Sequence, residues 1–235
     1  MKILIPMAGD GARFKFAGFE KCKPLINVEG SPMVIRAIET LNIKANYIFI
    51  IRDGDDRPEI EKVLSDNIDN PTIICVDYLT GGPACTALLA KDIINNDDPL
   101  VIANCDQIII WDSELFSGFA RRSNLDGIIM TYNSENKHNS YVRIGDDGFV
   151  AEVKEKEVIS SIATNGIHYW KHGFDFVESA ESMIAKNDFS INGEYYVAPT
   201  YNYLISKGKK IGTYHLESGH YPIGTPEDLS RYINR

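Results

Sequence analysis

The sequence predicts an α/β protein with a mixed, mostly parallel sheet, helices on both faces and a strand-rich insertion around residues 132–165. Three observations lead there. Short apolar runs alternate with amphipathic segments through the first hundred residues, and the second half gathers short strand-like runs with few helices between them. The 235 residues, 44% of them hydrophobic, are enough for one large core.

Lys2–Pro6 reads as a buried strand followed by a glycine-rich loop. Over Pro32–Leu41, Met33, Ile35, Ala37, Ile38 and Leu41 make a helical stripe, with Ser31 as N-cap and Pro32 at the first helical position. Tyr47–Ile51 reads as a strand and Pro58–Leu64 as the start of a helix. Thr72–Val76 is a third strand, Ala84–Ile94 a helix and Leu100–Ala103 a fourth strand. Parallel strands need long crossovers, and these helices supply them. Ile128–Tyr132, Tyr141–Ile144, Phe149–Val153 and Ala163–Trp170 read as strands, with Asp146-Asp147-Gly148 as a hairpin turn. Phe174–Ala185 and Tyr195–Ser206 read as helices and Lys209–His215 as extended. A last helix has Thr225 as N-cap, Pro226 at N1 and Asp228 at N3. A single unit over 1–235 is expected, without repeats or low-complexity tracts.

The net charge of −9 argues against nucleic-acid and anionic-membrane binding, which need basic surfaces. No stretch approaches the roughly 18 apolar residues of a membrane span, and the apolar start is broken at Pro6 and Gly9. Cys22, Cys75, Cys85 and Cys105 form no CxxC pair, which speaks against structural zinc and suits a reducing interior. A cytoplasmic location is expected; homo-oligomerisation is left open.

Ligands of open α/β sheets bind beyond the carboxyl ends of strands. After the first strand stands Met7-Ala8-Gly9-Asp10-Gly11-Ala12-Arg13-Phe14, whose glycines allow close approach of backbone N–H groups to phosphate oxygens. Arg13, Lys15, Lys21 and Lys23 then face a single acid, Glu20, a local reversal of sign that a triphosphate would explain. The alternative is an ordinary turn with solvated lysines. Phe14 stands where a dinucleotide fingerprint needs its third glycine, and no Gly-Lys-Ser/Thr follows to make a P-loop. Asn104-Cys105-Asp106 follows the buried strand Leu100–Ala103, where a lone carboxylate can hold Mg²⁺ bridging phosphates or simply cap a turn. Thr80-Gly81-Gly82-Pro83-Ala84 could admit a flat base against its backbone, or be a plain strand-to-helix turn.

Taken in order, Gly9-x-Gly11-x-Arg13-Phe14, Lys23-Pro24-Leu25-Ile26 and Gly30-x-Pro32-Met33 resemble the amino-terminal signature of sugar-phosphate nucleotidylyltransferases. Gly81-Gly82-Pro83-Ala84 resembles that family's base-binding loop, Asp106 its metal aspartate, and Glu155-Lys156 its pair near the sugar phosphate. Asn165–Trp170, Glu194-Tyr195-Tyr196 and Gly224–Asp228 continue the series, so the resemblance covers nearly the whole chain. It implies a Rossmann-like nucleotide-binding half, mainly 1–131, and an acceptor-binding half with the closing helix, mainly 132–235. It further implies Mg²⁺-dependent transfer of a nucleoside monophosphate from an NTP to a phosphorylated small molecule, with pyrophosphate released. A sugar 1-phosphate feeding surface polysaccharide is the first expectation. A CTP-dependent enzyme for a polyol, choline or amide phosphate is the second, and an inactive nucleotide-binding regulator the third.

By the same resemblance Arg13 and Lys23 would be catalytic. Met7, Ala8, Gly9, Gly11, Gly81, Gly82, Pro83 and Asn104 would bind nucleotide, and Asp106 would bind metal. Glu155, Lys156, Gly166 and Glu194 would contact the acceptor. The chain departs from the family where a second metal aspartate is expected, since Pro222 stands there and its ring cannot ligate through a side chain. Met7-Ala8-Gly9 also differs from the usual Ala-Gly-Gly run, so the sequence names neither base nor acceptor. His220, near Pro222, is a poor match for Mg²⁺, and Trp111 and Trp170 read as packing residues.

Overall fold

Ile3, Leu4 and Ile5 are all buried, yet Leu4 faces one hydrophobic core and its neighbours another, so the first strand lies between two packed layers. A computed structural model describes residues 1–235. Strand β1 (Lys2–Pro6) leads through the glycine loop to a short helix α1 (Ala12–Phe16) and a tight turn at Lys23–Leu25. A two-residue hairpin follows, β2 (Asn27–Val28) and β3 (Ser31–Pro32), then α2 (Met33–Leu41). Next come β4 (Asn46–Arg52), α3 (Arg57–Asn67), β5 (Thr72–Val76), α4 (Pro83–Leu88) and α5 (Lys91–Ile94). Strands β6 (Leu100–Ala103) and β7 (Gln107–Ile109) precede α6 (Ser113–Arg122) and β8 (Gly127–Asn133).

The hairpin β9 (Ser140–Ile144) and β10 (Val150–Glu155) and the long β11 (Ile162–Trp170) complete the strand-rich stretch. Helix α7 (Gly173–Ala185), a single turn at Ala198–Thr200 and α8 (Tyr201–Ser206) lead to β12 (Ile211–His215). The chain then forms β13 (His220–Pro222) and α9 (Pro226–Ile233), where the Thr225 hydroxyl accepts the Asp228 N–H as its sequence pattern predicts.

The strands lie in the order β12-β8-β11-β6-β1-β4-β5, and β11 alone runs against the rest. The expected mixed, mostly parallel sheet flanked by helices is therefore what forms. The β9–β10 hairpin joins the sheet where Tyr141 pairs with Ala163. From β1 the chain moves to β4 and β5 on one side, then crosses to β6 on the other. That reversal opens a crevice beyond the ends of β1 and β6. Helices α2, α3 and α6 pack on one face, and α4, α5, α7 and α8 on the other. No helix is long and apolar enough to cross a membrane.

Several expectations are corrected. Ser31 is a hairpin residue and no N-cap, because Glu29 (φ 51°) and Gly30 (φ 93°) turn the chain sharply and Asn27 Oδ1 accepts the Gly30 N–H at 3.0 Å. The helix therefore starts at Met33, with Pro32 in the cap position and no side-chain cap. Ala84–Ile94 splits at Leu89-Ala90, whose N–H groups bond three residues back, to Thr86 and Ala87. Tyr195–Val197 is not helical, since the backbone of Tyr195 bonds instead to Gly81 and Ala84. Helix α6 and the small β7–β13 pair escaped the sequence pattern.

Trp170 is fully buried, stacked on Tyr201 at 4.6 Å and edge-on to Phe176 at 5.0 Å. Trp170→Ala is expected to cost about 3–5 kcal/mol of stability by leaving a cavity between sheet and helices. Urea denaturation measures it, and a loss below about 1 kcal/mol would mean this layer repacks freely.

Candidate active site

A small third core holds the crevice together. Phe14, Ile26, Val28, Met33, Ile108, Ile223, Leu229 and Tyr232 pack as one cluster. Phe14 adjoins Arg13, Ile26 lies three residues beyond Lys23, and Ile108 two beyond Asp106. Packing these apolar side chains on one another therefore delivers three charged residues, distant in sequence, to one place. The Ile223 N–H donates to the Asp106 carbonyl at 2.9 Å, tying the C-terminal segment to the same point.

At the crevice, Lys23 Nζ donates to Asp106 Oδ2, with side chains 19% and 20% exposed. Burial alone would discharge both groups. Their opposite charges outweigh it, holding the Lys23 ammonium above and the Asp106 carboxyl below their ordinary values. The Arg13 charge reaches both while its side chain stays exposed. Gly11 (φ 63°) brings its backbone against Lys23, and a Cβ there would touch Lys23 Cβ at 3.5 Å. Met7 and Ala8 are buried beneath this loop, whereas Gly9 is open to solvent. The four-cation cluster read from sequence is divided: Lys21 pairs with Glu59 at 2.6 Å and Lys15 with Asp10 at 3.2 Å. Only Arg13 and Lys23 act at the carboxylate.

Helix α4, which follows the Thr80–Ala84 loop, packs Ala87 into the same core as Ala8 of the glycine loop. Gly82 adopts φ 133°, and Pro83 opens α4. Across the crevice Asn104 meets Gly166. The Asn104 N–H donates to the Gly166 carbonyl at 3.2 Å, and a Cβ on Gly166 (φ 83°) would collide with the Asn104 amide. Asn165, 4% exposed, keeps an unpaired Nδ2 beside this contact.

Of the residues expected to meet an acceptor, Lys156 and Glu194 are joined through Tyr196, while Glu155 bonds to Ser140 and Gly166 lies against Asn104. Ser140 donates to Glu155, Lys156 Nζ donates to the Tyr196 hydroxyl at 2.6 Å, and that hydroxyl donates to Glu194 at 2.5 Å. Burial pushes the Glu155 carboxyl up to about 7, against the opposing effects of Ser140 and the Lys156 charge. A carboxyl raised on folding favours the folded state most below its unfolded value, and that advantage is lost as pH rises towards 7. Glu155→Gln is thus expected to raise the melting temperature at pH 8 and leave it nearly unchanged at pH 4. Equal shifts at both pH values would contradict the buried-charge origin.

Sequence reasoning passed over Ser140, and it quoted Asn165, Tyr196 and Gly224 within motifs without giving them a role in the site. Gly224 is the most telling, because a Cβ there would sit 2.5 Å from Asp106 Oδ2. Its place in the Gly224-Thr225-Pro226 run was the available signal. Pro222 pairs with Gln107 on β7, and the His220 ring packs on Tyr132 at 4.4 Å. Burial lowers His220 to about 4, so the ring is neutral. No group of three or more His, Cys, Asp or Glu side chains is gathered for a metal. A lone carboxylate at a strand end fits a Mg²⁺ completed by substrate phosphates and water, and does not fit an all-protein cage.

The nucleotidyl transferase family pattern matches residues 2–229. No curated protein matches the chain. Among solved structures, the nucleoside-diphosphate-sugar pyrophosphorylase of Vibrio cholerae RC9 superposes with a TM-score of 0.84 at 21% identity, over 99% of this chain and 100% of that one. The inositol-1-phosphate CTP transferase of T. maritima gives 0.77 at 14% identity, over 99% and 92%. A UDP-glucose pyrophosphorylase complexed with UDP-glucose gives 0.75 at 16%, over 100% and 99%. At these identities the likeness is one of fold. The family pattern spans the crevice, both glycine loops and the first turn of the closing helix, and the chain belongs to the nucleotidyl transferase family.

Proposed function

We propose that this chain transfers a nucleoside monophosphate from an NTP to the phosphate of a sugar 1-phosphate, giving a nucleoside-diphosphate sugar for surface polysaccharide and releasing pyrophosphate. The observation that carries the reading is the Lys23–Asp106 pair at the switch point of the sheet, with Arg13 beside it. In this reading the half within 1–131 takes the nucleotide. The half within 132–235 takes the acceptor and closes the site with α9.

An acceptor phosphate oxygen attacks the α-phosphorus in line, a new P–O bond forms, and the bond to the β-phosphate breaks with its electron pair leaving on pyrophosphate. No protein nucleophile is needed. Lys23, a compact cation with three donors, can keep Asp106 and still reach an α-phosphate oxygen. Arg13 can grip the departing phosphates with two donors. Asp106 would hold Mg²⁺, which neutralises phosphate charge when bound. Gly9, Gly11, Met7 and Ala8 shape the phosphate loop, and Gly81, Gly82, Pro83 and Asn104 the base side. Glu155 and Glu194 suit hydroxyl groups of the acceptor, and Lys156 its phosphate.

Pyrophosphate release from ATP, CTP, GTP, UTP and dTTP, each with sugar 1-phosphates and with polyol and choline phosphates, with and without Mg²⁺, tests the proposal. Release with one NTP and a sugar 1-phosphate supports it. Release only with CTP and a non-sugar phosphate would move the acceptor class. No release from any pair would refute catalysis.

A further inference from the structure

Tyr195 and Tyr196 are adjacent, and each serves a different side of the crevice. The Tyr195 N–H donates to the Gly81 carbonyl at 2.9 Å, and its own carbonyl accepts the Ala84 N–H at 2.9 Å. These two bonds clamp the 81–84 loop. The fit has no slack: a Cβ on Gly82 would lie 2.6 Å from both the nitrogen and the carbonyl oxygen of Tyr195. A bulge at the loop therefore moves Tyr195.

One peptide bond away, the Tyr196 hydroxyl is fully engaged. It donates to Glu194 Oε2 at 2.5 Å and accepts from Lys156 Nζ at 2.6 Å and Asn192 Nδ2 at 2.9 Å. A hydroxyl has one donor and two acceptor sites, so all three are used. Lys156 also lies over the Tyr196 ring, 4.7 Å from its centroid, and holds a strained backbone at φ 56°. The ammonium is thus placed by this oxygen, and the Glu194 carboxylate by it together with Asn192 Nδ2, which donates to the same Oε2 at 2.6 Å.

From this arrangement we infer that Tyr196 is a positioning residue that couples nucleotide binding to acceptor binding, acting through Lys156 and Glu194. The inference rests on the functional reading above, which puts the base at the 81–84 loop and the acceptor at Lys156 and Glu194. A base that orders the loop also orders Tyr195, and Tyr196 with it. The acceptor then meets groups already fixed, and less freedom is lost on its binding. The coupling is positive and, because it is a binding free energy, reciprocal.

The test measures the acceptor Kd by calorimetry without and with a saturating α,β-methylene analogue of the NTP that turns over, then the analogue Kd without and with acceptor. In the wild type each ligand is expected to tighten the other by the same factor, at least about five-fold. In Tyr196→Phe, which keeps the ring and removes the hydroxyl, the factor falls to about one while the analogue alone binds as before. A merely structural role would weaken both ligands and leave the factor in place. A wild-type factor of one, or an undiminished factor in Tyr196→Phe, overturns the coupling while leaving the nucleotidyl transfer reading intact. Failure of every analogue to bind overturns that reading and the coupling with it.

Discussion

Lys23→Ala and Asp106→Ala are each expected to lower turnover by at least about 100-fold, the scale of losing one preorganised group that stabilises transition-state charge. The two substitutions should differ in character. Removing Lys23 leaves a partly buried carboxylate without its cation, so the site becomes more negative as the phosphates arrive. Removing Asp106 frees the ammonium but takes away the carboxylate assigned to the metal, so activity should also become less responsive to Mg²⁺ concentration. Steady-state pyrophosphate release across a magnesium titration measures both. Near-normal turnover in either variant would remove that residue from the chemistry.

Gly224→Ala should have an effect nearly as large from one added methyl group. That methyl would sit 2.5 Å from Asp106 Oδ2 and 3.7 Å from Lys23 Nζ. The atom it meets is the end of a side chain, so the fold can accommodate it by turning the carboxylate aside. Displacing a reacting constellation by about 1 Å can cost on the order of 100-fold, and a fall of about 10- to 100-fold with a nearly unchanged melting temperature is expected. Unaltered turnover would show that the carboxylate position is not critical. Loss of folding would show that the loop, and not the carboxylate, yields.

The sheet was legible because its central strands β1, β4 and β6 are buried on both faces. Lys2–Pro6, Thr72–Val76 and Leu100–Ala103 form where continuous apolar runs place them. The boundaries that failed are those decided by tertiary bonds. Tyr195–Val197 has helix-compatible residues, yet the Gly81 and Ala84 backbone groups claim Tyr195. Ser31 has the chemistry of a cap, but the left-handed Glu29 and Gly30 commit it to a hairpin. Helix α6 was passed over although Phe116 and Ala120 recur at helical spacing on its buried face and Asp112 caps it by accepting the Leu115 N–H.

The candidate site was legible in part for the same reason. Arg13, Lys23 and Asp106 stand next to glycine turns and a strand end, which composition and sequence position reveal. That Lys21 would turn to Glu59 was invisible, since α3 meets the loop only in three dimensions. The Tyr196 hydroxyl was hidden as well. It draws on residues 40 positions away for one bond and two or four positions away for the others. Pro222 stands where the resemblance puts a second acid, and Gln107 faces it across the β7–β13 pair.

A crystal structure with Mg²⁺ and an α,β-methylene NTP tests most directly whether the Lys23–Asp106 crevice is where a nucleotide reacts. The expected density puts the α-phosphate within hydrogen-bonding reach of Lys23, the outer phosphates beside Arg13 and the base against Gly81 and Gly82. Triphosphate density elsewhere on the molecule, with Lys23 still bound to Asp106, would contradict it.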